Sequence, residues 1–366
     1  MDYYLLTDMA AQIGYELAAA GAETFRIEET MRRVLAAYGI ECEAFAIPNC
    51  VMVSLEADNG KPLMVMKRVG FHGNDLDAVE RLNALSRRIC AETPDPAVAA
   101  QWLEETRNDR RSYSVPVYYL GNLLAASGFC PVFGGTLRDS LWAGLMGLII
   151  GFVTRRMDKL ETNPFFSTSM RDIIYGDTNS GVNRIVQVLL SALAIAMGTA
   201  AAWHITSSLY GQTAASTLSY PFWLQAIAIA VACTGFVILF NVHGWGRCLC
   251  ALGGVVTWMA YLLCGELGLG PYGANFIAAA VAAVYAEGMA RARKYPVTSY
   301  QVISAVPLLP GAGIYYTMSL GLNGSTQLAL QRGFATAGIA GSIAAAILLV
   351  SSVVRLFTAQ RKNKAI

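Results

Sequence analysis

Glu287 interrupts an apolar run near its end, and it is the first residue whose type and setting could do chemistry. A carboxylate inside a membrane-length segment costs about 2.5–3.5 kcal/mol on insertion scales. It has two readings. It carries a proton, its pKa raised by burial, or it sits near the segment end and pairs with Arg291 one turn on. Asp139 follows Gly134-Gly135 at the start of another apolar run. It could carry a proton, hold a substrate ammonium group, or act as an N-cap-like acid at a helix start. Asp172 and Asp177, with Arg171 and Arg184, form either a gate or ordinary loop charges. Asn275 either faces a pathway or bonds to a neighbouring helix.

The remaining candidates cluster in Ser304-Ala305-Val306-Pro307-Leu308-Leu309-Pro310-Gly311-Ala312-Gly313-Ile314-Tyr315-Tyr316-Thr317-Met318. A proline inside a helix removes one donor and clashes one turn back. In lipid the freed groups persist only where protein or a water-filled cavity satisfies them. The expectation is a break at Pro310, Gly311 and Gly313 in a membrane helix, facing a polar cavity near mid-membrane. A helix restarting after Gly313 would turn its positive end toward a carboxylate, with Tyr315 and Thr317 adding hydroxyls. Gly311 is expected to tolerate a side chain poorly, through close approach or unusual backbone angles. The alternative is a proline-kinked helix that binds nothing.

A second constellation lies near the start of the chain: Glu23, Glu28, Glu29, His72, Asp75 and Asp77. These could form a metal or acid–base cluster. Equally, they fit a solvated helix face with Asp75 as the N-cap of the next helix. No H-E-x-x-H, nucleophile motif or phosphate loop is present, so neither enzyme, metal nor cofactor is expected. The eight cysteines are scattered without a C-x-x-C and read as small apolar filler. His204 and His243 fall at the ends of apolar runs and read as interfacial.

The elements that must position these residues fall into two classes. Overall, 55% of the 366 residues are hydrophobic and 14% charged, against roughly 25% charged in soluble domains. The deficit is local: residues 1–112 hold 30 of the 52 charged side chains and a net charge of −6, the rest a net of +8. The first third reads as a soluble α+β domain and the rest as α-helical membrane protein. An acidic domain gives no reason to expect nucleic-acid binding. No secretory signal is visible, which places the first domain in the cytoplasm.

Within 1–112, helical spacing covers 4–38 with a joint at Gly21 and an end at Gly39. Two strands, 51–55 and 63–66, flank the turn Asp58-Asn59-Gly60. Helices follow from Leu76 to Cys90 and from Pro96 to Arg107. Beyond 112, eight spans are expected: 115–133, 137–154, 183–206, 219–241, 247–265, 272–290, 299–322 and 333–356. With the first domain inside, Arg107, Arg110, Arg111, Arg155, Arg156, Lys159, Arg171, Arg247, Arg291, Arg293, Lys294, Arg355, Arg361, Lys362 and Lys364 all fall inside, and only Arg138 and Arg332 outside. This asymmetry predicts both termini in the cytoplasm.

The membrane part repeats itself. Gly135, Arg138 and Gly144 recur as Gly244, Arg247 and Gly253, an offset of 109 residues. Met170, Gly176, Thr178 and Arg184 recur as Met318, Gly324, Thr326 and Arg332, an offset of 148. The first half is therefore 39 residues shorter between these landmarks and lacks a Pro-Gly element. On the orientation above the copies are inverted, with halves at 113–206 and 207–366. Inverted repeats around a broken helix are a transporter architecture.

Several motifs carry a resemblance: Gly14-Tyr15-Glu16-Leu17, Gly21-Ala22-Glu23-Thr24-Phe25-Arg26-Ile27-Glu28-Glu29, Ala37-Tyr38-Gly39, Asn74-Asp75-Leu76, Phe133-Gly134-Gly135 with Asp139, Met170-Arg171-Asp172 with Gly176-Asp177, and Leu309-Pro310-Gly311 through Met318. In this order the chain resembles the threonine/serine exporter family over nearly its whole length. The resemblance implies a multi-pass cell-membrane protein that exports threonine and serine from the cytoplasm by proton-driven antiport. Split relatives are associated with dicarboxylate export, so a dicarboxylate such as succinate is the alternative substrate. A membrane-anchored enzyme or scaffold acting through residues 1–112 is the reading from another class. The chain departs from the family where Phe165-Phe166-Ser167-Thr168-Ser169 runs directly into Met170-Arg171-Asp172, without the first Pro-Gly element. A partner chain or a second copy could supply it.

Overall fold

The computed structural model describes residues 2–47, 49–57, 60–70, 73–160, 218–322 and 324–363. They divide into two compact units. The first comprises Met1–Tyr118, Val237–Arg247 and Met289–Ser299; the second comprises Tyr119–Phe236, Cys248–Gly288 and Tyr300–Ile366.

The first unit opens with α1 (Tyr3–Ala19) and α2 (Thr24–Ala37). Asp2 caps α1 by accepting the Leu5 N–H at 3.0 Å. Leu6, Met9, Ile13 and Leu17 recur every three to four residues and are buried, as are Ile27, Met31, Val34 and Leu35 of α2. Burying each large apolar side chain fully is worth roughly 1.5–3 kcal/mol. The joint at Gly21 has a physical cause. Its φ is +88°, and a Cβ there would overlap the Gly73 carbonyl oxygen. That crossing segment is tied down by Gly73 N–H to Ala19 O at 2.7 Å and Asp75 N–H to Ala20 O at 3.1 Å.

Three strands follow, not two: β1 (Cys42–Ile47), β2 (Cys50–Glu56) and β3 (Pro62–Arg68), antiparallel in that order. Ala44 pairs with Val53 and Val53 with Val65. Strand β1 turns Ala44 and Ala46 inward and leaves Phe45 and Ile47 exposed. The edge N–H of Ala46 is satisfied by the Glu28 carboxylate at 3.0 Å. Helix α1 covers β2 and β3, and α2 covers β1. Helices α3 (Leu76–Glu92) and α4 (Pro96–Asn108) complete this layer. Asp75 caps α3 by accepting the Ala78 N–H at 3.0 Å, and Asp95 caps α4 through the Ala97 N–H at 3.0 Å. Glu23 stands at the N-cap of α2 without a side-chain capping bond, and three other acids of the supposed cluster are engaged separately. Glu28 also meets Arg32 at 3.4 Å, Glu29 pairs with Arg33, and Asp77 meets Arg81 at 2.8 Å. His72 lies outside the described residues.

Two short segments belong to this unit and are hydrogen-bonded to it. The N–H of Leu76 donates to Phe240 O at 3.1 Å. Asn241, at φ +52°, donates through Nδ2 to Asp75 Oδ1 at 2.8 Å and to Arg111 O at 2.7 Å. Tyr113 donates to Val242 O at 2.7 Å and stacks on His243 at 4.3 Å. With Nδ2 of Asn241 donating twice, its Oδ1 accepts from His243 Nε2 at 2.9 Å. Burial holds His243 below its ordinary value, aided by Arg247 and opposed by Asp77 and Asp75.

The helices beyond are α5 (Val115–Val132), α6 (Leu137–Leu160), α7 (Phe222–Leu239), α8 (Gly246–Glu266), α9 (Pro271–Arg293), α10 (Val297–Ala305) with a 3₁₀ turn Val306–Leu308, α11 (Gly311–Leu322) and α12 (Thr326–Asn363). Among the described residues six are long and apolar enough to cross a membrane, or seven when the bent pair Val297–Leu308 and Gly311–Gly321 counts as one span. These match seven of the eight expected spans; 183–206 lies outside the described residues. Helix α12 starts at Thr326, before the expected 333, and takes Arg332 into its first turns.

Packing in the second unit is by small residues, which let backbones approach without a hydrophobic driving force between helices. A Cβ on Gly128 of α5 would lie 2.5 Å from Ala232 N of α7, and one on Gly235 of α7 would lie 2.6 Å from Gly121 O of α5. Ala278, Ala279, Ala282, Ala283 and Ala286 form the buried stripe of α9. Leu141, Trp142, Leu145, Ile149 and Ile150 of α6 are exposed.

Candidate functional site

The break begins where two prolines withhold donors. Pro307 has no N–H for the Ile303 carbonyl one turn back, and Pro310 has none for Val306. The Val306 carbonyl takes the Leu309 N–H at 3.1 Å instead. Leu309 then leaves the helix at φ −61°, ψ 126°, and α11 departs at 48° to the preceding segment. Leu308 is buried against Ala278 and Ala279 of α9 and Ile343 and Ala346 of α12, whereas Leu309 is 59% exposed.

Gly313, not Gly311, is the crowded position. A Cβ on Gly313 would sit 2.5 Å from Thr336 Oγ1 and 3.0 Å from Thr336 Cγ2. A Cβ on Gly311 meets nothing within 4 Å among the described residues, and its φ lies outside the left-handed region. The close approach and unusual backbone angles expected at Gly311 are therefore absent among the described residues, and the helix restarts at Gly311, not after Gly313 as expected; the neighbouring helix crosses two residues later. The opposite contact is reciprocal, because a Cβ on Gly333 of α12 would sit 3.2 Å from Thr317 Cγ2. Thr317 donates to Gly313 O at 2.8 Å and Thr336 to Arg332 O at 2.7 Å.

A groove of about 490 Å³ runs between α11 and α12. Thr317, Met318, Gly321, Leu330 and Phe334 are among its lining residues. It is apolar apart from threonines, because the Thr317 hydroxyl is already bonded to Gly313 O. This groove is apolar and lies along α11 and α12 beyond the break, so it is not the polar cavity expected at Pro310–Gly313. Pro310, Gly311, Gly313 and Tyr315 stand outside it. Tyr315 is half-buried beside the exposed Tyr316, their rings 5.2 Å apart.

The other candidates are distributed along the helices. Asn275 is 5% exposed and donates to Pro271 O at 2.8 Å. It lies between Tyr272, which meets Gly338 of α12, and the Ala278–Ala279 contact with Leu308. Glu287 is half-buried near the end of α9. Asp139 closes a capping box: it accepts from Thr136 N–H at 2.7 Å and Thr136 Oγ1 at 2.8 Å, while its own N–H meets Thr136 Oγ1 at 3.2 Å. Asp172, Asp177 and Arg184 lie outside the described residues.

Three features escaped the sequence reading. Tyr220 donates to Gly135 O at 3.0 Å, Gln225 to Tyr220 O at 2.9 Å, and Trp258 Nε1 to Gln225 Oε1 at 3.1 Å. The hydroxyls of Thr257 and Ser304 are fully buried without a hydrogen-bond partner among the described residues. In the first unit, Glu80 is hydrogen-bonded to Tyr295, and burial pushes its carboxyl up against the pull of that bond and of Arg293. No periodicity marks any of these groups; only a T-x-x-D pattern at 136–139 was available as a capping signal.

Comparison with known proteins gives a consistent match. The sequence pattern of a family described as threonine/serine exporter matches residues 8–170. A second threonine/serine exporter pattern matches residues 225–353. Together they span well over half of the chain. A curated relative from Corynebacterium glutamicum, named threonine/serine exporter, is 22% identical over 402 aligned positions, covering 95% of this chain and 82% of the relative. No solved structure matches.

Proposed function

The chain belongs to the threonine/serine exporter family, and from that premise we propose that it exports threonine and serine from the cytoplasm in exchange for inward-moving protons. The observation that carries this reading is the 48° break between α10 and α11. Discontinuous helices in transporters set half-helix ends at the substrate. Here the α11 N-terminus, from Gly311 through Gly313, receives the substrate carboxylate, and Tyr315 and Asn275 supply polar contacts beside it. Thr317 acts through the backbone by holding the Gly313 carbonyl.

Glu287 is the proton-coupling acid in this reading. It is half-buried within a span, and such groups mark ion pathways by default. Asp139, held in its capping box, is the second candidate. Asp172, Asp177 and Arg184 form the inner gate. The protein lies in the cell membrane with both termini in the cytoplasm, as a cytoplasmic domain (1–112), a shortened half (113–206) and an inverted second half (207–366). The grouping of Arg247, Arg291, Arg293 and Lys294 with the N-terminal domain in one unit supports this sidedness. A second copy or a partner chain supplies the segment missing from the first half.

The test is efflux from cells preloaded with labelled threonine, serine or succinate. Protein-dependent loss of threonine and serine, reduced in Glu287→Gln at normal membrane abundance, is expected. Loss of succinate alone would reassign the substrate to dicarboxylates; unchanged efflux in Glu287→Gln would remove that residue from coupling.

A further inference from the structure

The three-stranded sheet of the first unit has one face covered by α1 and α2, and a second face that turns larger apolar side chains outward. The register arranges this outer face in three rows. Glu43, Ser54 and Met64 stand side by side, then Phe45, Met52 and Met66, then Ile47, Cys50 and Arg68. Phe45, Ile47, Met64 and Met66 are 52%, 42%, 62% and 61% exposed. Strands lie about 4.8 Å apart and residues rise about 3.4 Å along each, so the face measures roughly 300 Å² before side-chain relief. A continuous apolar patch of this size is often functional.

Charge and shape both favour a second copy of the same face as its occupant. Glu43 and Arg68 hold opposite corners and are exposed, and neither is ion-paired among the described residues. Two identical faces pair about a two-fold axis. When that axis lies between the facing sheets along the diagonal through Ile47, Met52 and Met64, Glu43 of each copy stands opposite Arg68 of the other. The large Phe45 then covers the small Cys50, and Met66 covers the small Ser54. Ile47, Met52 and Met64 each meet their own counterparts. The strands of the two sheets cross at near right angles, one of the two ways in which sheets pack. An axis along the strands sets Glu43 over Met64, one across them sets it over Ile47, and the other diagonal sets it over itself.

An anionic lipid surface fits this face less well, because residues 1–112 carry a net charge of −6 and the face itself presents Glu43. We propose that the outer face of the β1-β2-β3 sheet pairs with the same face of a second copy of this chain, with Phe45, Met52, Met64 and Met66 at its centre and two Glu43–Arg68 ion pairs at its rim. The face is smaller than the roughly 800 Å² that each partner of a standard free complex buries. The pairing therefore belongs to the full chain, whose membrane helices confine the copies to one bilayer and raise their effective concentration. The claim concerns the first unit alone and is independent of which solute the chain carries.

The test uses the full chain carrying Met52→Cys, in isolated membranes treated with a short bismaleimide. Position 52 lies on the axis, and a peptide linked to its own copy there, read by mass spectrometry, can arise only between two chains. Its formation is expected. Adding Glu43→Arg sets like charges at both rim pairs, as does adding Arg68→Glu, and each should cut the linked peptide by about 10-fold or more. Co-expressing the two variants restores opposite charges at both pairs, so mixed links should return to the parent level. Trypsin cuts the Glu43→Arg chain at position 43, which distinguishes mixed links by mass. Their return also shows that both variants fold. No linked peptide in the Met52→Cys chain, or charge variants that link as well as it does, would overturn the proposal. Loss in both variants with no recovery on mixing would also overturn it, and would assign the face to lipid or to a different protein.

Discussion

Replacing Gly313 by alanine adds one methyl group at the point where α11 crosses α12. That methyl would lie 2.5 Å from Thr336 Oγ1 and 3.0 Å from Thr336 Cγ2. Thr336 cannot rotate away without losing its bond to Arg332 O at 2.7 Å. Overpacking of this kind costs about 1–3 kcal/mol, and the lost hydrogen bond about 0.5–1.5 kcal/mol. Replacing a helical glycine returns about 0.5–1 kcal/mol. The net expectation for Gly313→Ala is a loss of about 1–3 kcal/mol, or roughly 1–4 °C in Tm for a chain of this size. Gly311→Ala, which meets open space among the described residues, should be neutral or slightly stabilising. Adding Thr336→Ala to Gly313→Ala removes both clashing atoms and leaves Cβ at 3.3 Å, so it should recover most of the loss. The assay is detergent-solubilised thermal unfolding of the four chains. Equal effects of Gly311→Ala and Gly313→Ala, or no recovery in the double variant, would refute the crossing at Gly313.

Other expectations follow from contacts elsewhere. Gly128→Ala and Gly235→Ala should each lower Tm, and truncating neighbouring side chains should rescue neither, because the obstructing atoms are backbone. Glu80 binds its proton more tightly in the folded than in the unfolded chain, so its contribution is most favourable below its ordinary value of 4.5 and is lost as pH rises through its raised folded pKa. Glu80→Gln keeps an acceptor for Tyr295 and should raise Tm at pH 7 but not near pH 4; a lower Tm at pH 7 would contradict the burial argument. A cysteine introduced at Gln212 should react with impermeant maleimide from outside, and one at Lys362 should not; the opposite pattern would invert the topology.

Most helices of this chain were legible because long apolar runs leave little choice of conformation. The edge strand β1 was not. Its inward residues are Ala44 and Ala46 and its outward ones Phe45 and Ile47, so alternation points the larger side chains away from the core. The break at Leu309-Pro310 was legible from proline chemistry alone. Which glycine there is crowded was not, because Thr336 lies far along the chain and only packing brings it to Gly313. Likewise, a threonine inside an apolar run does not announce whether its hydroxyl bonds back to its own helix. Thr317 does and Thr257 does not.

The central claim is tested most directly by reconstituting the purified chain into liposomes loaded with labelled threonine and acidifying the outside. The account predicts threonine efflux that rises with the imposed pH gradient, is competed by internal serine, and collapses when a protonophore is added. Efflux equal to that of protein-free liposomes, at verified incorporation and with the gradient intact, would contradict it.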